Sequence, residues 1–281
     1  MGIPFQVPDP LPLEEQQGQS YPQLVAIMQR LLAPDGCPWD REQTPASIRK
    51  YVLEEACEVI DAIDSGDAGH LQEELGDLAL QVVFLGEMAR REGSFGPDDV
   101  IRGIVEKLVR RHPHVFAELS VQGSEQVLEN WEKIKAVEKS DRGLLDGVPR
   151  SLPALYRAQR LSDKVSRVGF DWPDGRASRA KVSEELGELD EAMAGGNLER
   201  VESELGDLLF AIVNLARHVG LDAETALRKT SDRFSRRFAH VEARVKEGHG
   251  GWPRAEDGKP GSGVPLETLD AYWDEAKREE A

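Results

Sequence analysis

The chain has 281 residues and a formal net charge of −17 at pH 7, because 52 acidic residues outnumber 35 basic ones. A surface this acidic repels a phosphate backbone, so nucleic-acid binding is disfavoured. The sequence has no apolar run long enough for a membrane-spanning helix, and its two cysteines are too few for a disulfide framework. Its N-terminal segment does not resemble a signal peptide, so we expect a cytoplasmic protein.

Apolar residues recur at helical spacing along the chain, as at Leu24, Ile27 and Leu31. The alternating pattern typical of β-strands is absent, so the predicted fold is all-α. We expect a flexible tail, a first helical domain, a linker and a second helical domain, at residues 1–20, 21–140, 141–155 and 156–281. A segment rich in Gly and Pro predicts a loop at 247–265 within the second domain.

The acidic residues of the first half recur 130 positions later in the second half. The stretch EELGDL begins at Glu73, and SELGDL begins at Ser203. The recurring residues are Glu54, Glu55, Glu58, Glu74 and Asp77 in the first half, and Glu184, Glu185, Glu188, Glu204 and Asp207 in the second. We therefore predict a tandem duplication of one helical-bundle domain.

Each acidic set is predicted to converge on one groove. Residues three or four apart share a face of a helix, so Glu55 points the same way as Glu58, and Glu74 the same way as Asp77. A turn at Gly66 lets the two helices run antiparallel and brings four carboxylates together. The alternative is that these side chains lie on solvated helix faces. Like charges at this spacing repel by roughly a few tenths of a kcal/mol per pair, and the pattern occurs twice, which favours a site.

A glycine lies within the second acidic helix of each half, at Gly76 and Gly206. Glycine costs about 1 kcal/mol relative to alanine in a helix interior. We interpret both as points where a neighbouring backbone or a ligand approaches closely.

Carboxylates without histidine or cysteine are hard oxygen ligands, which favour Mg²⁺, with Mn²⁺ as a substitute. A di-iron carboxylate site would need a Glu-x-x-His motif on two helices, and neither half has one. Because Mg²⁺ held by carboxylates commonly binds substrate phosphates, the pattern indicates phosphoanhydride chemistry.

A basic segment follows each acidic set and offers cations for a triphosphate. Its alternative interpretation is a cationic helix surface. The candidate residues are Lys107, Arg110 and Arg111 in the first half, and Lys229, Arg233, Arg236 and Arg237 in the second.

These motifs together resemble the MazG family of the all-α NTP pyrophosphatase superfamily. The similar stretches are GCPWDREQT, RRHPHVF, VGFDW and ELGDLLFAIVNLARH, and the resemblance covers about residues 21–245 and the final helix. It implies Mg²⁺-dependent hydrolysis of nucleoside triphosphates (NTPs or dNTPs, aberrant ones included) to the monophosphate and pyrophosphate by a homodimer. Nucleotide-pool cleansing or a stress response is the implied role.

The resemblance also implies roles for individual residues. Eight would be metal ligands, namely Glu55, Glu58, Glu74, Asp77, Glu185, Glu188, Glu204 and Asp207. Glu54 and Glu184 would support the site or orient the water. The basic residues given above would hold phosphates, and Asn214 would contact the substrate in the second half. Ser231 replaces an asparagine common in related proteins, which puts a base or ribose contact in doubt.

Two alternatives to this function stay open. One is a nucleotide-sensing or regulatory module that binds nucleotides without hydrolysing them, and the other is a narrow dUTP or dCTP pyrophosphatase. We hypothesise that the second half is the main active site, because Phe84 lies in the first half where the second has Asn214.

Overall fold

The chain divides into two units, Met1–Ser140 and Asp141–Ala281. The computed structural model describes residues 21–117, 143–252 and 263–280, together with positions 121, 123, 126, 127, 130, 131 and 134. All regular structure in this part of the chain is helical, so the prediction of an all-α fold is confirmed. The predicted tail, 1–20, lies outside the described residues.

Eleven helices with continuous bounds lie in the described ranges, and both units follow one plan. The first unit contains α1 (Tyr21–Leu31), α2 (Pro38–Glu42), α3 (Pro45–Ser65), α4 (Ala68–Arg91), α5 (Pro97–Arg111) and α6 (Pro113–Phe116). The second unit contains α7 (Ala154–Ser166), α8 (Gly175–Gly195), α9 (Leu198–His218), α10 (Ala223–His249) and α11 (Leu266–Glu279). None of these helices is both long and apolar enough to cross a bilayer.

A helical hairpin forms the centre of each unit and is closed by the same turn in both. Gly66 caps the C-terminus of α3 and Gly196 that of α8, each with a φ of 69°, in the left-handed region that favours glycine. The next helix then begins with a side-chain cap, from Asp67 before α4 and from Asn197 before α9. Because the turn and the capped helix start are alike in both units, the two acidic segments are aligned with each other in the same way in both hairpins.

The hydrophobic core of the first unit lies between α1 and the α3–α4 hairpin. Its buried side chains are Val25, Met28, Leu32, Ile48, Val83, Phe84 and Met88. In the second unit a smaller core joins α10 to α11 through Val241, Val245 and Val264. Burying an aliphatic side chain of this size contributes about 1.5–3 kcal/mol, so these contacts hold the outer helices onto each unit.

The hairpins also carry apolar side chains that their own unit leaves exposed. On α9, Leu205, Leu209 and Ile212 follow one another at helical spacing and are 43–45% exposed. Similar positions on the other hairpin helices are Leu186 and Met193 on α8, Leu53, Ile60 and Ile63 on α3, and Leu75 and Val82 on α4. The exposed apolar residues of α9 therefore form a stripe along one face of that helix.

Two predicted boundaries differ from the structure by a few residues. The loop expected from residue 247 begins later, because α10 continues to His249 and ends at Gly250, whose φ is 70°. The N–H of Gly250 bonds to the carbonyl of Lys246, which completes the last turn. Helix α7 begins at Ala154, so the last two residues of the predicted linker, 154–155, are helical.

Candidate active site

In the first unit, acidic side chains from both hairpin helices meet. Glu55 and Glu58 lie one turn apart on α3, and one oxygen of each lies within 4.8 Å of the other and of an oxygen of Glu74 on α4. Burial, and then the nearby carboxylates of Asp77 and Glu58, raise the pKa of Glu55. The four carboxylates of this unit therefore lie close enough together to repel one another.

The carboxylates of the first unit contact an amide side chain and an imidazole side chain. Gln81 Nε2 donates to Glu55 Oε1 at 3.3 Å. His70 Nε2 lies 3.0 Å from Glu74 Oε1 on the same helix. No Lys or Arg within the described residues forms an ion pair with these carboxylates.

The second unit assembles the equivalent group between α8 and α9. One oxygen each of Glu185, Glu204 and Asp207 lie within 4.8 Å of one another, and Glu185 is buried. Burial raises the pKa of Glu188, as do the charges of Glu185 and Glu204. Glu188 is therefore a fourth member of this group.

Two cations contact the second group. Lys181 Nζ lies 2.7 Å from Glu184 Oε1 and 2.7 Å from Glu185 Oε1, so one ammonium bridges two carboxylates. These carboxylates raise the pKa of Lys181, which keeps the ammonium charged. Arg200 Nε lies 3.5 Å from Glu204 Oε1. Glu184 is thus paired with Lys181, and both Glu184 and Glu54, at the same register in the first unit, are exposed.

The glycines within α4 and α9 are not crowded by their own unit. A Cβ built on Gly76 or on Gly206 has no heavy atom within 4 Å among the described residues, the backbone of its own helix aside. No neighbouring backbone among these residues therefore approaches either glycine, and the close approach of a ligand stays a prediction. The sequence shows that a glycine lies inside each of these helices. Whether the space beside the glycine is filled depends on how neighbouring elements pack, which only the structure shows.

Two of the four basic candidates of the second unit, Arg236 and Arg237, contact Glu280. Arg237 Nε donates to Glu280 Oε2 at 2.7 Å, and Arg236 Nε lies 3.8 Å from Glu280 Oε1. Arg233 Nη2 donates to Thr230 Oγ1 on the same helix at 3.2 Å. The structure therefore pairs Arg236 and Arg237 with a carboxylate just beyond α11, and not with the acidic group of α8 and α9.

The remaining basic candidates lie on helix surfaces. Arg111 lies with its guanidinium carbon 6.0 Å from the centroid of the Trp131 ring. The other three, Lys107, Arg110 and Lys229, are exposed. Ser231, also exposed, donates its hydroxyl to the carbonyl of Leu227 on its own helix.

An apolar cavity of about 460 Å³ lies beside α9 in the second unit, and Phe170, Trp172 and Phe210 are among its lining residues. Asn214 is buried at its wall, and its Oδ1 accepts hydrogen bonds from Arg217 Nε at 2.9 Å and Nη2 at 2.7 Å. Because the carbonyl oxygen of Asn214 is engaged, its amide N–H groups are the ones that a ligand in the cavity can meet.

A third cluster of ionisable groups joins α10 to α11. His240 Nδ1 lies 3.4 Å from Glu279, and its Nε2 lies 3.6 Å from Glu275. Glu275 also accepts a hydrogen bond from Arg244 Nε at 3.2 Å. Because Arg244 already pairs with Glu275, we interpret this cluster as an ion-pair network between the two helices.

Comparison with known proteins agrees with the duplication. The model of the MazG nucleotide pyrophosphohydrolase domain matches residues 43–116 and again residues 175–242. The nucleoside triphosphate pyrophosphohydrolase of Escherichia coli strain K12 is 48% identical over 263 residues, which are 92% of this chain and 97% of that protein. The nucleoside triphosphate pyrophosphohydrolase/pyrophosphatase MazG of Thermotoga maritima is 42% identical over 265 residues, 94% of this chain and 98% of that protein.

A solved structure is also similar to part of this chain. The crystal structure of a mazG-related protein from Thermotoga maritima is 27% identical and covers 41% of this chain and 97% of that chain, with a TM-score of 0.36.

Two helical hairpins, each with a group of converging carboxylates, define this protein as an all-α enzyme of the nucleotide pyrophosphohydrolase class. The chain belongs to the MazG family, with two copies of the MazG domain. The predicted family and the predicted duplication are thereby confirmed.

The sequence-based prediction of the site omitted two residues that contact its carboxylates, Lys181 and Gln81. A signal for Lys181 was available, because it lies four residues before Glu185, the spacing of an ion pair along a helix. Gln81 had no such signal, since its contact with Glu55 crosses from α4 to α3 and depends on how the hairpin packs.

Proposed function

We propose that the protein hydrolyses nucleoside triphosphates at the α–β phosphoanhydride bond and releases the monophosphate and pyrophosphate, with Mg²⁺ as its cofactor. The observation that supports this most is the pair of acidic groups, at Glu55, Glu58 and Glu74 and at Glu185, Glu204 and Asp207. Relatives that match nearly the whole chain are named for this class of activity. The proposed role is nucleotide-pool cleansing or a stress response in the cytoplasm.

The donor set fits Mg²⁺ because every ligand offered is a carboxylate oxygen. The raised pKa values of Glu55 and Glu188 are a second argument, since burial and then the neighbouring carboxylates oppose ionisation, and a bound cation would favour it. When bound, Mg²⁺ would neutralise the triphosphate and acidify the attacking water. Mn²⁺ has the same ligand preference and is the expected substitute.

The chain's own residues would orient the reactants. Glu184 and Glu54 border the two acidic groups, and we propose that each orients the attacking water in its own unit. Arg233 and Lys229 are proposed phosphate ligands because both cations are exposed. Arg236 and Arg237 would have to leave Glu280 before they could bind a phosphate. Lys107, Arg110 and Arg111 are the corresponding proposal for the first unit.

The apolar cavity is the proposed site of the nucleobase. Asn214 lies seven residues after Asp207 on α9, which is about 10 Å along a helix and matches the span from a base to its phosphates. Aromatic walls at Phe210 and Trp172 suit a flat ring, and the Asn214 amide can donate to an acceptor on its edge. Because Phe84 takes the place of Asn214 in the first unit, we propose that the second unit performs most of the turnover.

We further propose that the protein is a homodimer in which a second copy covers the exposed apolar residues of the hairpins. Helical hairpins commonly bury such faces by pairing into four-helix bundles. The residues that support this are Leu205, Leu209 and Ile212, which are 43–45% exposed in the single chain.

The Leu209→Glu variant is expected to dissociate the dimer into monomers, because a dimer would have to bury an unpaired carboxylate. Sedimentation velocity at micromolar concentration measures the effect. The matched control is Val168→Glu, since Val168 is 65% exposed but lies outside the hairpin. A Leu209→Glu protein that sediments as a dimer would show that this face is not the interface.

A substrate panel tests the proposed function against its alternatives. Each NTP, dNTP and damaged dNTP is assayed with Mg²⁺ for hydrolysis, and in parallel for binding by calorimetry. Hydrolysis of several of these nucleotides supports a broad pyrophosphohydrolase. Turnover of dUTP or dCTP alone would identify a narrow enzyme, and binding without any product would identify a nucleotide sensor.

A further inference from the structure

We propose that a second cavity of the second unit binds a phosphate-bearing anion through Arg150 and Arg157. This cavity has a volume of about 630 Å³ and is lined by residues of the 145–150 segment and by Arg157 and Leu161 of α7. It lies outside both acidic groups and outside both basic segments. The inference therefore does not depend on the proposed reaction.

This polar cavity lies next to the apolar cavity that has Asn214 at its wall. Leu145 and Leu161 line both cavities. Arg157, Leu161 and Val165 recur every four residues, so they share one face of α7. Arg157 lines the polar cavity and Val165 the apolar one. An anion held by Arg157 would therefore lie about one helical turn from the proposed nucleobase site.

The two guanidinium groups of the polar cavity have no acidic partner. Arg157 is half-buried, and its Nε is fully buried and donates to no acceptor among the described residues. Arg150 is exposed, and its side chain forms no ion pair or hydrogen bond with a described residue. A buried donor without an acceptor costs free energy, so a ligand oxygen at Arg157 would satisfy a group that the chain leaves unsatisfied.

Unpaired arginines are unexpected in a chain whose net charge is −17, because carboxylates are abundant. Other arginines of the same unit do have such a partner, namely Arg200 with Glu204, Arg217 with Asp171, Arg237 with Glu280 and Arg244 with Glu275. Two arginines that line one cavity without a carboxylate partner therefore indicate a site for an anion from outside the chain.

One carboxylate also lines the polar cavity. Asp146 Oδ2 accepts a hydrogen bond from the N–H of Gly143 at 2.8 Å, so this carboxylate is engaged with its own turn. Two guanidinium groups against one carboxylate leave the lining with a net positive charge. The cavity therefore attracts anions within a unit that is otherwise rich in carboxylates.

The residues of the cavity favour phosphate among small anions. A guanidinium presents a planar fork of N–H donors that matches two oxygens of a phosphate group. A volume of about 630 Å³ is typical of small-molecule sites and admits free pyrophosphate or a nucleoside monophosphate. Because the acidic groups do not line this cavity, we expect the anion to bind without a divalent cation.

Calorimetry on the full chain in the presence of EDTA tests the proposal, with pyrophosphate and AMP titrated separately. At least one of them is expected to bind, and the tighter one identifies the source of the phosphate. Arg157→Met is expected to weaken this binding about 10- to 100-fold, because hydrogen bonds from a charged group are lost. Arg150→Met is expected to weaken it about two- to fivefold, because Arg150 is exposed.

The matched control is Arg176→Met, which removes an exposed arginine of the same unit that does not line the cavity. This variant is expected to bind the anion as the unmodified chain does. Equal losses in Arg176→Met and Arg157→Met would trace the effect to net charge and would overturn the proposal. Arg157→Lys keeps the charge but not the planar fork, so it is expected to bind more tightly than Arg157→Met and more weakly than the unmodified chain.

Thermal unfolding without ligand distinguishes binding from a structural role. Because Arg157→Met removes a buried unsatisfied donor, its Tm is expected to stay the same or to rise. If this variant fails to fold, the exposed Arg150 provides the test, and unchanged binding in Arg150→Met would then overturn the proposal. Full binding by a folded Arg157→Met protein, or binding of neither anion by the unmodified chain, would overturn it as well.

Discussion

Replacing Glu188 with alanine is expected to lower kcat/KM for nucleoside triphosphates about a thousandfold, equivalent to ~4 kcal/mol of transition-state stabilisation. Glu188 belongs to the acidic group of the second unit, where its pKa is raised by burial and by the charges of Glu185 and Glu204. Its loss removes a ligand from the proposed metal site, and this unit also contains Asn214 and Lys181. Initial rates at saturating Mg²⁺ measure the effect.

The matched control is Glu58→Ala, which removes the corresponding carboxylate from the first unit. This variant is expected to keep most of the activity, because the first unit has Phe84 and Tyr51 in place of Asn214 and Lys181. If Glu58→Ala alone abolished turnover, the first unit would be the active one. Comparable losses in both variants would show that the units share the reaction.

Removal of the divalent cation is expected to have an equally large effect. Treatment with a chelator should reduce turnover to background, and excess Mg²⁺ or Mn²⁺ should restore it, because the acidic groups offer only hard oxygen donors. Restoration by Zn²⁺ but not by Mg²⁺ would contradict this assignment of the metal.

Binding of Mg²⁺ is also expected to raise the thermal stability of the protein, and this effect is measured without turnover. Mg²⁺ at about 100 times its dissociation constant stabilises the folded chain by ~2.7 kcal/mol, which corresponds to a rise in Tm of about 5–10 °C. The Glu58→Ala, Glu188→Ala double variant is expected to lose most of this rise. A full rise in the double variant would place the stabilising cation elsewhere.

The convergence of the acidic residues was predictable from the sequence because it depends on local geometry. Helical spacing places Glu55 beside Glu58, and a glycine in the left-handed region turns the chain at Gly66 and again at Gly196. Repetition of the whole pattern after 130 residues favoured a site over two unrelated acidic helix faces. These features need no knowledge of how other helices pack.

The features that the sequence did not predict depend on contacts between distant segments. Arg236 and Arg237 are predicted to hold phosphates, and the sequence did not show that both also lie near Glu280, because this contact depends on the packing of α11 against α10. The space beside Gly76 and Gly206 is open because no neighbouring element among the described residues covers it. The cavity beside Asn214 likewise depends on where α7 and the 169–173 segment pack against α9.

The identity of the products tests the central claim most directly. Purified protein is incubated with Mg²⁺ and ATP, and nucleotides, pyrophosphate and orthophosphate are separated and quantified. We predict AMP and pyrophosphate in equal amounts from the first time point, with no ADP intermediate. Formation of ADP and orthophosphate would contradict cleavage at the α–β bond, and with it the proposed function of the acidic groups.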